Sequence, residues 1–426
     1  MGRADSWGTT LVYGFAHLGK SLFWYSSEIL FAFFLTEIAG LPVRQMGIVL
    51  ATGFLVSAAI DLGVGHGLQR RLATGTSASR LQLAGSILCS VAGLAVFLGA
   101  SMPAELRFGY AMGSGIAFRF AFAAYDIPQN ALMALATTDP ASRLRVASTR
   151  IWFSGAATLV VAATVGPLVA MHDGPGGVGF LLGLTAIFAI AAIGSAWLLA
   201  WVLHDRSPPN ATVEDPGPPA LRASMPPSFW LLLLVMVATS AFTPAFSKLE
   251  PYFATYALRS AWWGGVVIFL AAAGILLGQP VWLALCRTVS RATIMLGAAL
   301  LQIVALAAFG LNAQNPQAAA LAALLFGLGN GGVGMVQWAA FSETVNGMAP
   351  SRAGPSYGIF AASGKIGFAA GGLLLAAMLS ATDFRGGGSA DLPVMMVVIP
   401  ALGAVLVIAA AIGLRALECR PAHPFV

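Results

Sequence analysis

The chain has 426 residues, of which 58% are hydrophobic and only 9% charged, with a formal charge of +6 and a mean hydropathy of +0.84. Soluble domains carry about 25% charged residues, so a water-facing surface is excluded and the chain reads as an integral membrane protein. The basic residues are scattered between apolar runs, which argues against a nucleic-acid partner. Cys89, Cys286 and Cys419 lie far apart without metal or redox spacing.

A spanning helix needs about 20 apolar residues. Twelve such runs are predicted, near 9–37, 45–68, 81–101, 108–136, 146–171, 178–203, 228–257, 262–285, 292–312, 318–346, 357–380 and 393–417. Strand alternation is absent, so a β-barrel is excluded. The fold class is an all-α integral membrane protein of twelve transmembrane helices in two six-helix bundles.

The first run is too long and too charged for a cleavable signal peptide. On it His17, Ser21, Trp24 and Glu28 share one face at 3.6 residues per turn, bordered by Lys20. Such a stripe suits a polar organic ligand with apolar ring faces, or else a polar packing seam. The second run holds Asp61 within SAAIDLGVGH. An acid held out of water can load and release a proton near neutral pH; packing or capping is the plainer reading. In the fourth run Arg119 and Asp126 are seven apart, hence on one face, which Asn130 continues. The Ile127-Pro128 step weakens that helix. The fifth run carries Arg150 near its start and runs antiparallel to the fourth, so an Asp126–Arg150 pair is expected, lining a cavity or locking two helices.

The proline-rich stretch 204–227 reads as a cytoplasmic linker between six-helix units at 1–203 and 228–417, with 418–426 as a tail. In the seventh run Pro244 and Pro251 flank Lys248 and are expected to break the helix, which with Glu250 would form a gate. FGLGNGG in the tenth run mimics a dinucleotide fingerprint but has no preceding strand; its glycines would permit close helix approach. Glu343 near the end of that run is expected to pair with a loop arginine as a gate. Lys365 in the eleventh run would ion-pair with Asp61 or Asp126, or snorkel to the interface.

Gly47 to Arg70 and Gly264 to Arg287 are both 23 residues apart. This weak repeat, offset by 217, carries Asp126 onto Glu343. Parallel repeats place a substrate site between the halves near the membrane midplane. With the N-terminus inside, thirteen arginines fall on the cytoplasmic side and four on the other, the positive-inside pattern. No nucleophile–histidine–acid set, zinc motif or P-loop occurs. No enzyme activity or cofactor is expected, and transport would draw on a gradient.

The segments YGFAHLGK (13–20), TEIAGLP (36–42), YDIPQNAL (125–132), DPASRLRVASTR (139–150) and SRAGPSYGIFAASGKIG (351–367) resemble the major facilitator superfamily, and within it the glycoside–pentoside–hexuronide cation symporters. By that resemblance Asp126 and Arg150 match positions of sugar binding and charge pairing, Lys365 the eleventh-helix lysine, and Asp61 the second acid of a cation-binding pair. Ser57 stands where the first acid would be, Ile60 and Ala123 replace neighbouring polar groups, and Ser21 and Asn130 replace sugar-recognition residues. The depleted oxygen set disfavours sodium, and galactoside specificity is not implied.

The expectation is therefore a secondary transporter, a monomer in a bacterial inner membrane with both termini cytoplasmic, carrying a small polar organic solute with a proton. Lys20, Ser21, Trp24, Asp126, Asn130, Arg150 and Lys365 are the substrate-binding candidates, and Asp61 the proton carrier. Arg119, Lys248, Glu250 and Glu343 are the gating candidates. A lysolipid or other amphiphile carrier, an uncoupled facilitator, and an assembly factor or sensor are the alternatives.

Overall fold

The computed structural model describes residues 7–67, 75–135, 140–172, 175–203, 225–348 and 350–418. Most of the 204–227 linker, all but the first residue of the 418–426 tail, and Arg3, Arg70, Arg71, Arg206, Arg222 and Arg420 lie outside these residues. The first half comprises α1 (Trp7–Ile29), α2 (Val43–Gly67), α3 (Gly75–Leu98), α4 (Ala104–Leu135), α5 (Pro140–Ala163, continued by Val165–Ala170) and α6 (Pro175–Leu203). The second comprises α7 (Pro227–Phe242, resuming as Ala245–Tyr252), α8 (Ala261–Leu285), α9 (Arg291–Asn312), α10 (Pro316–Asn346), α11 (Pro350–Ser380) and α12 (Asp391–Glu418).

Among the described residues, ten of the spans are long and apolar enough to cross a membrane by length and composition. The other two, α1 and α4, carry the polar stripe with Lys20 and Glu28 and the face with Arg119 and Asp126, which lowers their hydropathy. Several helices outrun the expected spans. α11 starts at Pro350 and α4 at Ala104, because a helix does not stop where its apolar run ends. Trp7, Trp201 and Trp262 are exposed near helix ends, where amphipathic rings suit a membrane interface.

The repeat is written in the backbone. α1 runs past Ile29 into a π-turn at Phe34–Ile38, and α7 into one at Phe253–Ala257. After each turn comes a left-handed residue, Gly40 (φ 70°) and Arg259 (φ 51°). Matching hydrogen bonds close both, Leu41 N to Leu35 O and Ser260 N to Ala254 O. The arginine tolerates at a cost what glycine adopts freely. Both turns lie at the face opposite the chain termini, called the distal face below.

α7 breaks at Thr243 and Pro244 and resumes at Ala245. Pro251 leaves its segment continuous, although the π-turn follows at once. α4 continues through Pro128, which cannot donate to the Ala124 carbonyl. Gly85 of α3 lies directly against that carbonyl, where any side chain would overlap it.

Two seams join the halves: α2 along α11, and α5 with its continuation along α8. In the first, Gly372 sits against Leu50 and Phe54 stacks on Phe368 at 5.0 Å. In the second, Gly166 meets the Ala261 carbonyl, which a Cβ would approach to 2.9 Å. Within the second half, the FGLGNGG glycines bring α10 onto α8 and α9. A Cβ on Gly327 would overlap the Ala271 carbonyl oxygen, and one on Gly329 would lie 2.8 Å from that of Ala298.

Backbone cannot yield as a side-chain tip can, so Gly327→Ala is expected to destabilise by about 1–3 kcal/mol, the usual range for overpacking. Gly297→Ala, which meets nothing within 4 Å, should leave the melting temperature in detergent unchanged or slightly higher. Equal melting temperatures for both variants would contradict the close-approach reading.

Candidate functional site

A cavity of about 280 Å³ lies between the halves, lined from α1, α5, α7, α8, α10 and α11. Trp24, Phe246, Phe326 and Phe368 give it aromatic walls, and Thr158, Thr239, Ser240, Thr243, Asn330 and Gln337 supply uncharged hydrogen-bonding groups. Thr239 donates to Gln337 Oε1 at 3.2 Å, so part of this polar lining is already ordered. The volume lies near the lower end of small-molecule sites, roughly 300–1,000 Å³.

Glu28 is the acid of the cavity wall. Lys248, from the resumed segment of α7, donates to its Oε2 at 2.7 Å, and Arg119 Nη2 lies 3.8 Å from its Oε1. All three are buried. The Arg119 guanidinium also sits 3.9 Å above the Phe54 ring and 5.7 Å from that of Trp24, a cation–π arrangement. Two cations thus share one carboxylate.

Towards the terminal face lie two further clusters. Lys20 donates to Asp126 Oδ1 at 2.5 Å and to Asn130 Oδ1 at 3.4 Å, and Arg150 donates to Asn130 Oδ1 at 3.0 Å. The close partner of Asp126 is therefore Lys20 of α1, and the expected Arg150 contact falls on Asn130. Helix α1 passes nearer to this face of α4 than the α4–α5 hairpin geometry alone suggested; Tyr13 and Gln129 fix the approach through Tyr13 OH to Gln129 O and Gln129 Nε2 to Ala16 O. On the other side Lys365 of α11 meets Asp61 Oδ2 at 2.6 Å and donates to the Ser57 carbonyl of α2 at 3.3 Å. Asp61 is partly exposed, where the sequence suggested an acid held out of water, and of the contacts expected for Lys365 the one with Asp61 is formed.

The distal face is closed by polar contacts between the halves. Arg385 donates through Nη2 to Glu37 Oε1 at 2.7 Å and through Nε to Oε2 at 3.1 Å, and Tyr256 donates to the same carboxylate. Its hydrogen bonds to Glu37 hold the Arg385 guanidinium above its ordinary pKa. Thr36 and Tyr252 share a hydrogen bond of 2.6 Å beneath them.

Of the sequence candidates, Trp24 lines the cavity while Ser21 is buried without lining it. Glu343 is bonded by Arg291 through Nε and Nη2, at 3.1 and 3.0 Å, near the terminal face. Glu250 is fully buried, and neither of its oxygens has a hydrogen-bond partner among the described residues. Sequence reasoning missed Glu37 and Arg385, which flank apolar runs like ordinary loop charges. It also missed Thr158, Thr239, Ser240, Asn330 and Gln337, whose residue types pack equally well in any helix. Their only signal was the position of Thr239 and Ser240 just before Pro244.

A family profile described as MFS/sugar transport protein matches residues 12–418. The uncharacterized symporter YjmB of Bacillus subtilis (strain 168) is 26% identical over 188 residues, a stretch covering 43% of this chain and 40% of that relative. Among solved structures, a D-xylose-proton symporter is similar with TM-score 0.70 at 14% identity, covering 96% of this chain and 97% of that one. A bacterial homologue of the iron transporter ferroportin in an inward-facing state gives 0.65 at 14% identity, covering 96% and 98%. At these identities the structures speak for the fold.

The two-cation arrangement around Glu28 yields an asymmetric expectation. Glu28→Gln leaves Lys248 and Arg119 buried without a counter-charge and should cost about 3–5 kcal/mol, as for other broken buried pairs. Lys248→Met leaves the Arg119–Glu28 pair and should cost much less. Thermal unfolding in detergent checks the order; a larger loss for Lys248→Met would overturn it.

Proposed function

The chain belongs to the MFS/sugar transport protein family, and on that premise we propose that it is a proton-coupled symporter of a small polar organic solute, sugar- or glycoside-like, working by alternating access. It is a multi-pass membrane protein and a secondary transporter with a small-molecule substrate. The observation that carries the finer reading is the cavity between the halves. A sugar has apolar C–H faces and a rim of hydroxyls; Trp24 and Phe368 offer ring faces, and Thr158, Ser240, Asn330 and Gln337 offer uncharged donors and acceptors. The cluster of Lys20, Asp126, Asn130 and Arg150 lies on the route from this cavity to the terminal face and would hold the solute's polar groups during passage.

Coupling is assigned to Asp61. Its carboxylate and the Ser57 carbonyl, oxygens that a sodium ion would need, are engaged by the Lys365 ammonium. A proton needs only the carboxylate. Protonating Asp61 would remove the charge that holds α11 to α2 and so favour separation of the halves at that level. The unit boundaries near 203 and 228, a monomeric state, cytoplasmic termini and a bacterial inner membrane complete the proposal; the closed distal face is then the outer one.

The largely apolar cavity wall, with Ile268, Ala271 and Ala272 besides the aromatics, favours one second reading, an amphiphile such as a lysolipid. A thermal-shift screen of sugars, glycosides and lysolipids separates the two. With the solute so found, proteoliposomes carrying Asp61→Asn should lose uphill accumulation under a pH gradient yet retain solute exchange. Undiminished accumulation would remove Asp61 from the mechanism, and accumulation driven by sodium alone would remove the proton.

A further inference from the structure

Glu250 is a carboxylic acid in a setting where a carboxylate has nothing to bind. It is fully buried, and neither Oε1 nor Oε2 has a hydrogen-bond partner among the described residues. Leaving an ionised carboxylate in such a place costs several kcal/mol, and a group in that position takes up a proton instead.

Several of the neighbouring titratable groups are engaged elsewhere. On its own segment Lys248 is bonded to Glu28 of α1. Two residues apart on a helix, Lys248 and Glu250 point to nearly opposite sides, so the ammonium serving Glu28 does not reach Glu250. From the turn after α1, Glu37 is held by Arg385 and Tyr256. Tyr252 is bonded to Thr36, and beyond Val165–Ala170 the His172 Nδ1 lies 2.6 Å from the Val169 carbonyl. α12 packs on this segment and contributes Asp391 in its first turn. α8 meets Glu250 with Gly264, where a Cβ would come within 3.1 Å of Oε1. The glycine first makes room for Ala254, whose Cβ a side chain there would meet at 2.2 Å, and it brings no charge to the acid.

We infer that Glu250 is a proton-binding site of this transporter, distinct from Asp61 and loaded in the conformation described here. The step is the addition of one proton from water to one carboxylate oxygen, and no other reactant is needed. The site lies on the short helix Ala245–Tyr252, between the break at Pro244 and the π-turn at Phe253–Ala257. That helix also carries Lys248, the second half's contact with the cavity acid Glu28. A movement that parts Lys248 from Glu28 therefore moves Glu250 against α8, and burial of the protonated acid is tied to the closed arrangement. The inference is independent of whether solute flux is proton-driven, since it concerns proton occupancy alone.

Infrared spectroscopy of the solute-free protein in lipid reads this directly. The wild type at neutral pH should show a protonated-carboxyl C=O band that shifts in D2O, is lost in Glu250→Gln and survives in Asp61→Asn. Glu250→Asp, which keeps the acid, should retain a band at a shifted frequency, and it keeps the test open if the glutamine variant folds poorly. A band that vanishes in Asp61→Asn and persists in Glu250→Gln would overturn the assignment, as would a spectrum without any such band. Failure of pH-driven flux with the Glu250 band intact would instead strike the symport proposal.

Discussion

Charge inside an apolar slab must be neutralised, and here the neutralising partner repeatedly comes from the opposite half. Glu37 is bonded by Arg385, Glu28 by Lys248 and Asp61 by Lys365. In every one of these pairs the acid belongs to the first half and the cation to the second. They stand at three depths, at the distal face, beside the cavity, and on the terminal side of it. An ionised side chain left alone at a helix centre costs about 2.5–3.5 kcal/mol even by the mildest scales, so each pair opposes separation of the halves at its level.

A carrier that alternates must nevertheless part its halves, and a ligand shifts such an equilibrium only by binding one state better than the other. The pairs differ in what could release them. Arg385 is about half exposed, so water can solvate it once Glu37 lets go. Lys248 leaves behind a Glu28 that still faces Arg119, which limits the charge stranded beside the cavity. Among the described residues Lys365 is held by Asp61 and a backbone carbonyl, which makes proton uptake by that acid a direct way to weaken the contact. Glu250 would extend the scheme to an acid without a cationic partner among the described residues, neutral through its own proton.

The helical, two-half membrane fold was legible in the sequence because apolar run length and the scarcity of charge leave few alternatives. The repeat was legible only faintly, through glycine and arginine spacings. Its plain form, paired π-turns followed by Gly40 and Arg259, is a backbone feature that side-chain identity does not announce. Intramembrane charges could be named from sequence, but their partners only in part: the Lys365–Asp61 contact was among those expected, the Lys20–Asp126 contact was not. Lys20 and Asp126 are separated by 106 positions, and which helices face each other is decided by small-residue seams such as Gly85 on Ala124. The cavity was least legible, since its threonine, serine and amide lining looks like ordinary helix packing until the halves are brought together.

The central claim is that each cross-half ion pair holds the halves together at its own level, Glu37–Arg385 holding the distal face shut. Spin labels placed at Ala104 and Asn312, exposed positions on distal helix ends of opposite halves, would read the separation of that face by pulsed electron resonance. The account predicts one dominant short distance in the otherwise wild-type protein, a longer-distance population that grows in Glu37→Gln, and no such growth in Asp61→Asn, whose pair stands on the terminal side of the cavity. A distance distribution unchanged by Glu37→Gln would contradict it.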